Sequence, residues 1–503
     1  MRKYGCLLIA LLILAAVSAQ TKYVSLPLKS GKVNTYSYTN NEQLVYFIRD
    51  GKTLHTIIFD TALTVLKQSK YNLEEFIDKS EGVIAVTETN KKPSLFFSDK
   101  MLEHFSSISL DMNSNTLLQF SYPPLATNDY YLNSFSYDSK FFILTLKGEN
   151  ENPGLMLREY NGTSTATEHF VSLEGFDINK GYADILYNVF FEPNAVGNGY
   201  TTFDVPILKR VRYDEPNTNA TANSATKCYL DSNQLVITLN NIVDTTQVIT
   251  IDLHSFNGSF RKISMGNSTN KKAKSVSDNT FLIDKRLFYI SASQNELVYK
   301  ILDFEAGTTL QEYTHGKDEA ISYKNGPFYR VYNKKESELS LEPRPALNRL
   351  CGSHTGSKIG LAVNLTDDGQ YEVFIGNSPN AGTNYPFIVP YMYTPSNIAL
   401  PMDLSPGMFF HLLLPSIIWN EGFTAVNNDY DNFYFKSHFR KTDLTYLSRE
   451  NTAGVYFKLN AKVAELKATE FVEAVNVIRF QAHIMISYLH TDDGKFFIFK
   501  LQP

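Results

Sequence analysis

Short apolar runs broken by turns recur along this chain. Residues 44–48, Leu-Val-Tyr-Phe-Ile, lead through Asp50-Gly51 into 56–59, Thr-Ile-Ile-Phe. Residues 361–363 lead through Asp368-Gly369 into 371–375, and residues 484–488 lead through Asp493-Gly494 into 496–499. Runs of this length, rich in β-branched and aromatic residues, read as strands. Asp-Gly suits a tight type I′ hairpin turn, whose two central residues need positive φ. Similar pairs without Asp-Gly join 141–146 to 154–157, 235–239 to 248–253, and 287–290 to 297–302. Weaker ones lie near 83–86, 186–191 and 328–332.

The hairpin starts fall near residues 44, 83, 141, 187, 235, 287 and 328. That spacing is close to the roughly 40–50 residues of a four-stranded propeller blade. Many of the first strands are apolar at consecutive positions instead of alternating. A strand wet on one side alternates, whereas a strand apolar on both sides is covered on both faces, as in stacked blades. The last hairpin stops close to Pro503, so its sheet lacks an outer strand. Residues 22–28 form an isolated strand before the first hairpin and can supply it, which hides two edges. The expectation is an all-β chain: one β-propeller of seven or eight four-stranded blades over residues 20–503, closed by the N-terminal strand. The alternative is a β-sandwich array. Helix signal is confined to 461–475, where the apolar spacing fits a short helix or an outer strand.

Residues 1–19 change the compartment. Met1-Arg2-Lys3 is a basic start, residues 7–17 are apolar, and Val17-Ser18-Ala19 is a small-residue cleavage pattern. The run is short for a membrane span and reads as a secretory signal peptide, with Gln20 as the mature start. The expected location is outside the cell or in a secretory-vesicle lumen. No later stretch reads as membrane-inserting, since the apolar run at 408–419 is broken by His411 and Pro415.

The full chain carries 47 basic and 52 acidic residues, net −5, and loses Arg2 and Lys3 with the signal peptide. A mildly acidic chain offers no electrostatic case for nucleic acid. Cys228 and Cys351 outlast the signal peptide and form a candidate disulfide. Two thiols do not make a disulfide scaffold, so the core must hold the fold. Five Asn-x-Ser/Thr sequons, at Asn161, Asn219, Asn257, Asn267 and Asn364, are candidate glycosylation sites. Asn161 and Asn364 lie beside turns and are expected to be exposed. Asn257 and Asn267 bracket an expected outer strand.

Patterns for known chemistries are absent. There is no His-Glu-x-x-His, no Gly-x-Ser-x-Gly and no phosphate-binding loop. Asn427, Asp429 and Asp431 begin like a calcium loop, but its later positions are Asn432 and His438 instead of Gly and Glu. No catalytic residue, metal ligand or cofactor site is assigned. An irregular segment at 377–407 interleaves six prolines with Tyr385, Phe387, Tyr391 and Tyr393. Prolines lower the entropy an ordered loop loses, and tyrosines give contact area at little rotamer cost. These four aromatics are the candidate binding loop. The functional expectation is a secreted, non-catalytic binding or adhesion protein that presents loops to a protein or glycan. The alternative is a glycan-acting hydrolase with carboxylates at the channel mouth.

Overall fold

The computed structural model describes residues 21–26, 33–39, 42–73, 82–98, 104–114, 116–125, 129–147, 154–171, 173–174, 191–196, 200–206, 208–211, 213, 224–266, 276–332, 335–351, 358–366, 368–378, 432–448, 462–463, 465–466, 469–480, 483–492 and 494–501. They form seven sheets of four or more strands and a two-stranded hairpin. Each large sheet is a blade, and the chain is an all-β propeller.

Blade one is Val33–Thr39, Leu44–Asp50, Thr53–Phe59 and Val65–Asn72. Blade two is Gly82–Thr89, Lys92–Ser98, Phe105–Asp111 and Thr116–Tyr122. Blade three is Asp129–Tyr137, Lys140–Lys147, Gly154–Tyr160 and Ala166–Val171. Blade four is Thr226–Asp231, Gln234–Ile242, Thr245–Asp252 and Gly258–Ser264, with short parallel additions at either edge, Lys209–Val211 and Leu173–Glu174. Blade five is Ser277–Ile283, Arg286–Ala292, Glu296–Asp303 and Thr309–Gly316.

Blade six takes its outer strands from upstream. Lys358–Leu365, Tyr371–Ser378 and Asn432–Phe439 pair in order, and Asn325–Tyr332 then Lys335–Leu339 complete the sheet. Asn325 plugs the edge where the pairing with the third strand breaks. Its amide donates to Leu447 O at 2.8 Å, and its Oδ1 accepts from His438 N at 2.8 Å. A helix, Pro343–Leu350, separates these outer strands from the first strand.

Blade seven is Val472–Phe480, His483–His490 and Lys495–Lys500, and its fourth strand is Thr21–Ser25. The N-terminal strand runs antiparallel, with Thr21 opposite Phe499 and Val24 opposite Phe496. Leu26 N continues the ladder to Gly494 O at 3.0 Å. The ring closure expected from the sequence is therefore present.

The middle strands explain the consecutive apolar runs. Leu44–Asp50, Thr53–Phe59 and Gly154–Tyr160 are buried almost throughout, whereas the outer strand Val65–Asn72 alternates exposed and half-buried. Apolar clusters fill the seams between sheets. One joins blades seven and one through Val24, Tyr46 and Phe496. Others join one to two through Phe47 and Phe97, two to three through Phe96 and Tyr160, and three to four through Phe142 and Ile237. A larger cluster spans blades four, five and six.

Three details depart from the sequence reading. Near the expected start at residue 187 the described residues form no four-stranded sheet: Phe191–Val196 and Tyr200–Pro206 pair as a two-stranded hairpin. An insertion between blades three and four had mimicked the period. The tight turns also use other residues. Asp50 pairs with Thr53, so the central residues are Gly51 and Lys52, and Gly51 has the positive φ (60°), as a type II′ turn requires. The type I′ turns are Asn90-Lys91, Asp138-Ser139 and Asp284-Lys285, all with both φ positive and none with glycine. Lastly, Asn377, which the sequence reading put in an irregular segment, is a paired strand residue, and the residues that follow Tyr371–Ser378, 379–431, lie outside the described residues.

A repeat missed in the sequence sits at the end of the third strands. Asp60, Asp111, Asp252 and Asp303 each turn the chain by accepting backbone N–H groups on Oδ1. The Ser114 N–H, then the Lys92 ammonium, pull the Asp111 carboxyl down to about 2. The Thr445 hydroxyl and N–H do the same to Asp443 in blade six, also to about 2. Asp252 and Asp303 are lowered chiefly by the N–H groups of Ser255 and Ala306.

Two expected outcomes follow. Deleting residues 20–26 strips the partner from Lys495–Lys500 and uncovers Phe496 and Ile498, each worth about 1.5–3 kcal/mol of burial. The truncated chain should aggregate and lose cooperative unfolding in calorimetry; an unchanged melting midpoint in a monomer would refute the closure. For the turn carboxylates, folded pKa values lie below the ordinary 3.8, so their stabilisation is present above about pH 4 and lost as pH falls toward about 2. Asp111→Asn should lower the urea midpoint at pH 7, and the gap to the parent protein should close by about pH 2. A gap independent of pH would rule this out.

Candidate functional site

The densest buried polar network lies between blades four and five, where their first strands begin. Lys227 is the second residue of Thr226–Asp231 and is fully buried. Its ammonium donates to Ser224 O at 2.7 Å, Thr280 O at 2.9 Å and Asn279 Oδ1. Asn279 carries the chain of bonds onward, donating to Ile359 O of blade six at 2.9 Å, while Ile359 N donates to Ser277 Oγ at 2.8 Å. Asn240 and Thr280 share side-chain bonds, with Thr246 Oγ1 donating to Asn240 Oδ1 at 2.9 Å. Beside them Asp278 Oδ2 accepts from Asp244 N at 3.0 Å, and Tyr289 donates its hydroxyl to Asp244 Oδ1 at 3.3 Å.

This arrangement holds sheets together and is not set up for group transfer. Burial alone pushes the Lys227 ammonium well below its ordinary value, yet its three protons already meet three oxygens. Burial, then the Asp278 carboxylate, raises the Tyr289 phenol, so it stays a protonated donor and not a phenolate nucleophile. The same clasp recurs around the ring. Asn133 donates from blade three to Leu208 O beside blade four at 3.2 Å, and Asn476 donates from blade seven to Ser37 Oγ of blade one at 3.0 Å. Glu88 of blade two accepts from Tyr38 of blade one and from Ser139 of blade three. This line is hard to read from sequence because a polar residue inside an apolar strand does not name the partner it meets on the next sheet. The Asn-Ser at 133–134 and Asn-Thr at 279–280 were the available signal.

Other carboxylates are engaged too. Arg158 bridges Asp129 and Glu168 at 2.8 Å each, and Glu159 meets Lys140 at 2.8 Å and His169 at 3.1 Å. A buried row crosses blade six, Asn364 opposite Glu372 opposite His438. His438 Nε2 is 3.6 Å from Glu372, and His438 Nδ1 has no partner among the described residues. Among the described residues no group of three or more His, Cys, Asp or Glu is placed to hold a metal ion, and no helix is long and apolar enough to cross a membrane.

The residues singled out in the sequence fall in separate places. No disulfide joins Cys228 and Cys351, contrary to the candidate pairing: both are buried thiols. Cys228 packs in the seam of blades three and four, and Cys351 follows the helix into the cluster of blades four to six, so each is embedded in a different apolar cluster. Asn257 is exposed and Asn161 half-buried, both in turns after third strands. Asn364 was expected to be exposed and is only 4% exposed. The strand is covered on both faces up to this point, with Ala362, Val363 and Asn364 all buried, and exposure begins only at Leu365, at 37%. Asn219, Asn267, and the aromatics Tyr385, Phe387, Tyr391 and Tyr393 lie outside the described residues.

What is placed is the origin of the aromatic segment. In an up-and-down sheet, turns between first and second strands and between third and fourth leave from one end. Turns between second and third strands leave from the other. Residues 379–431 join the second and third strands of blade six, at the same end as the turns at Gly51-Lys52 and Val243-Asp244. Ile242 and Val243 are exposed there, at 43% and 47%.

No protein-family model matches the sequence, and no curated protein matches it. Solved structures similar to parts of the chain include a puromycin-hydrolyzing peptidase of Mycobacterium tuberculosis at 8% identity and TM-score 0.31. That match covers 95% of this chain and 56% of the peptidase. Dipeptidyl peptidase 4 of Porphyromonas gingivalis matches at 9% and TM-score 0.28, over 73% of this chain and 39% of its own. The dihydro-heme d1 dehydrogenase NirN matches at 10% and TM-score 0.28, over 58% and 50%. The chain thus spans about half the length of these proteins, and likeness this distant carries no argument about activity. The class rests on the sheets themselves: a β-propeller, with seven blades among the described residues.

One outcome tests the network. A lysine whose folded pKa is below its ordinary 10.5 binds fewer protons when folded, so its contribution to stability rises with pH between those two values. Lys227→Met should remove that rise: the unfolding free energy of the parent minus that of the variant should increase as pH is raised toward about 10. Parallel curves would show that Lys227 does not titrate in this range.

Proposed function

We propose that this chain is a secreted, non-catalytic binding protein whose rigid ring presents the 379–431 segment to a protein or glycan. The observation that supports this most is the mounting of that segment. It leaves Tyr371–Ser378 and returns at Asn432–Phe439, and these strands stay paired up to Asn377 and Phe433. Their apolar face packs into the largest core cluster through Val373, Ile375, Phe433 and Phe435. A loop held by a rigid scaffold loses less entropy on binding than one on a loose stem. The engaged carboxylates of blades three to five favour binding over hydrolysis, because each already serves an internal donor.

The secretory reading rests on residues 1–19, and the choice of a protein or glycan partner rests on the tyrosine-rich composition of 379–407. Replacing 379–431 by Asn-Gly, which suits a two-residue hairpin, should leave the melting midpoint within a few degrees. Binding to a glycan microarray and to whole cells should fall by about tenfold or more, ~1.4 kcal/mol. The intact protein should not turn over fluorogenic glycosides. Turnover that one carboxylate-to-amide substitution abolishes would instead make this a hydrolase.

A further inference from the structure

We infer that, of the three sequons in described residues, Asn161 and Asn257 carry N-linked carbohydrate and Asn364 does not. The ring is then sugar-coated on the end opposite to that from which 379–431 leaves. The inference rests on the secretory reading proposed above.

Position comes first. Asn161 follows Gly154–Tyr160, the third strand of blade three, and Asn257 precedes Gly258–Ser264, the fourth strand of blade four. Both therefore lie in turns between third and fourth strands, at the same end as the turns between first and second strands. A contact confirms that these turns are neighbours: Tyr137, beside the first turn of blade three, meets His254 in the last turn of blade four, with ring centroids 5.8 Å apart. Residues 379–431 depart from the opposite end, with the Gly51-Lys52 and Val243-Asp244 turns.

Accessibility separates the three acceptors. Asn257 and Ser259 are exposed, and the Asn257 carboxamide has no partner among the described residues. Asn161 is half-buried in a turn where Gly162 takes φ 78°. That turn brings Thr163 Oγ1 round to donate to Asn161 Oδ1 at 2.7 Å. The bond engages the oxygen and leaves Nδ2, the atom that takes the sugar, without a partner among the described residues. Asn364 stands opposite Glu372 in the buried row of blade six. A sugar on its nitrogen would have to occupy the space where that sheet packs.

The transfer itself needs a lipid-linked oligosaccharide pyrophosphate, supplied by the secretory compartment. The amide nitrogen bonds the anomeric carbon and loses a proton, while the carbon–oxygen bond breaks and the lipid pyrophosphate leaves with its electron pair. Because this happens as the chain emerges, burial acts afterwards: a molecule modified at Asn364 cannot close blade six and is not secreted.

The test expresses the full chain, with residues 1–19, in insect cells and collects secreted protein. Peptide mapping after enzymatic deglycosylation in heavy-oxygen water reads each site. Asn161 and Asn257 should be labelled in most molecules and Asn364 in none. Asn161→Gln and Asn257→Gln should each remove one glycan step on a gel. Thr366→Ala, which destroys the third sequon and leaves Asn364 in place, should remove none. Label at Asn364 in folded, secreted protein would overturn the inference. So would empty Asn161 and Asn257 beside a labelled Asn219 or Asn267, with secretion left standing. Five empty sites would overturn the secretory reading and this inference with it.

Discussion

The central strands of blades one to five are buried on both faces over most of their length. Leu44–Asp50 and Gly154–Tyr160 show it most fully, with side chains of both parities out of water. A sheet with two apolar faces cannot be stable alone, because burying one face still leaves the other wet. It needs a sheet on each side, and for a row of sheets the only arrangement without a wet end is a ring. That constraint explains why the seams are apolar. It also explains why Thr21–Ser25 travels from the start of the chain to the last sheet. Among the described residues no apolar cluster joins blade six to blade seven, the pair linked in sequence by 440–471.

Burial is non-directional and does not by itself set how one blade sits on the next. The polar clasps do. Asn133, Lys227, Asn279 and Asn476 each reach from the first strand of one blade to the next blade or the short strand beside it. An unmet carbonyl in such a place costs roughly 1–3 kcal/mol, so a slipped sheet loses more than packing. The third-strand aspartates have a local role, closing turns on backbone N–H groups. Leu63, Phe256 and Leu444 are driven into positive φ (58°, 58° and 60°) where those turns end. Together the clasps and turns form a repeat of hydrogen-bond geometry more regular than the repeat of residues.

The same economy bears on function. The polar groups at the seam of blades four and five bond to neighbouring strands, as Lys227, Asn240 and Asn279 do. Two long segments interrupt the repeat of sheets, 172–225 between blades three and four and 379–431 within blade six. A rigid frame with long connections suits recognition, since the frame holds the stems and the connections can diverge without disturbing the core.

The sequence by itself determined the class of fold and its closure. Runs apolar at consecutive positions required sheets covered on both faces, and the lone strand at residues 22–28 matched a last sheet short of one strand. These are local patterns of solvent preference, and they survive without knowledge of contacts. Tertiary structure decided the rest. The spacing alone made 187 a blade start, because a hairpin in an insertion has the same local pattern as a hairpin in a blade. Cys228 and Cys351 were candidates by compartment, yet their separation into different seams depends on how sheets stack. Asn364 read as exposed from its distance to a turn, but its strand is covered on both faces as far as Asn364, and only the stacking of sheets decides where that cover stops. The clasp from Asn279 to Ile359 was invisible for the same reason. Partners 80 residues apart are brought together only when blade five stands beside blade six, and no local signal encodes that neighbour.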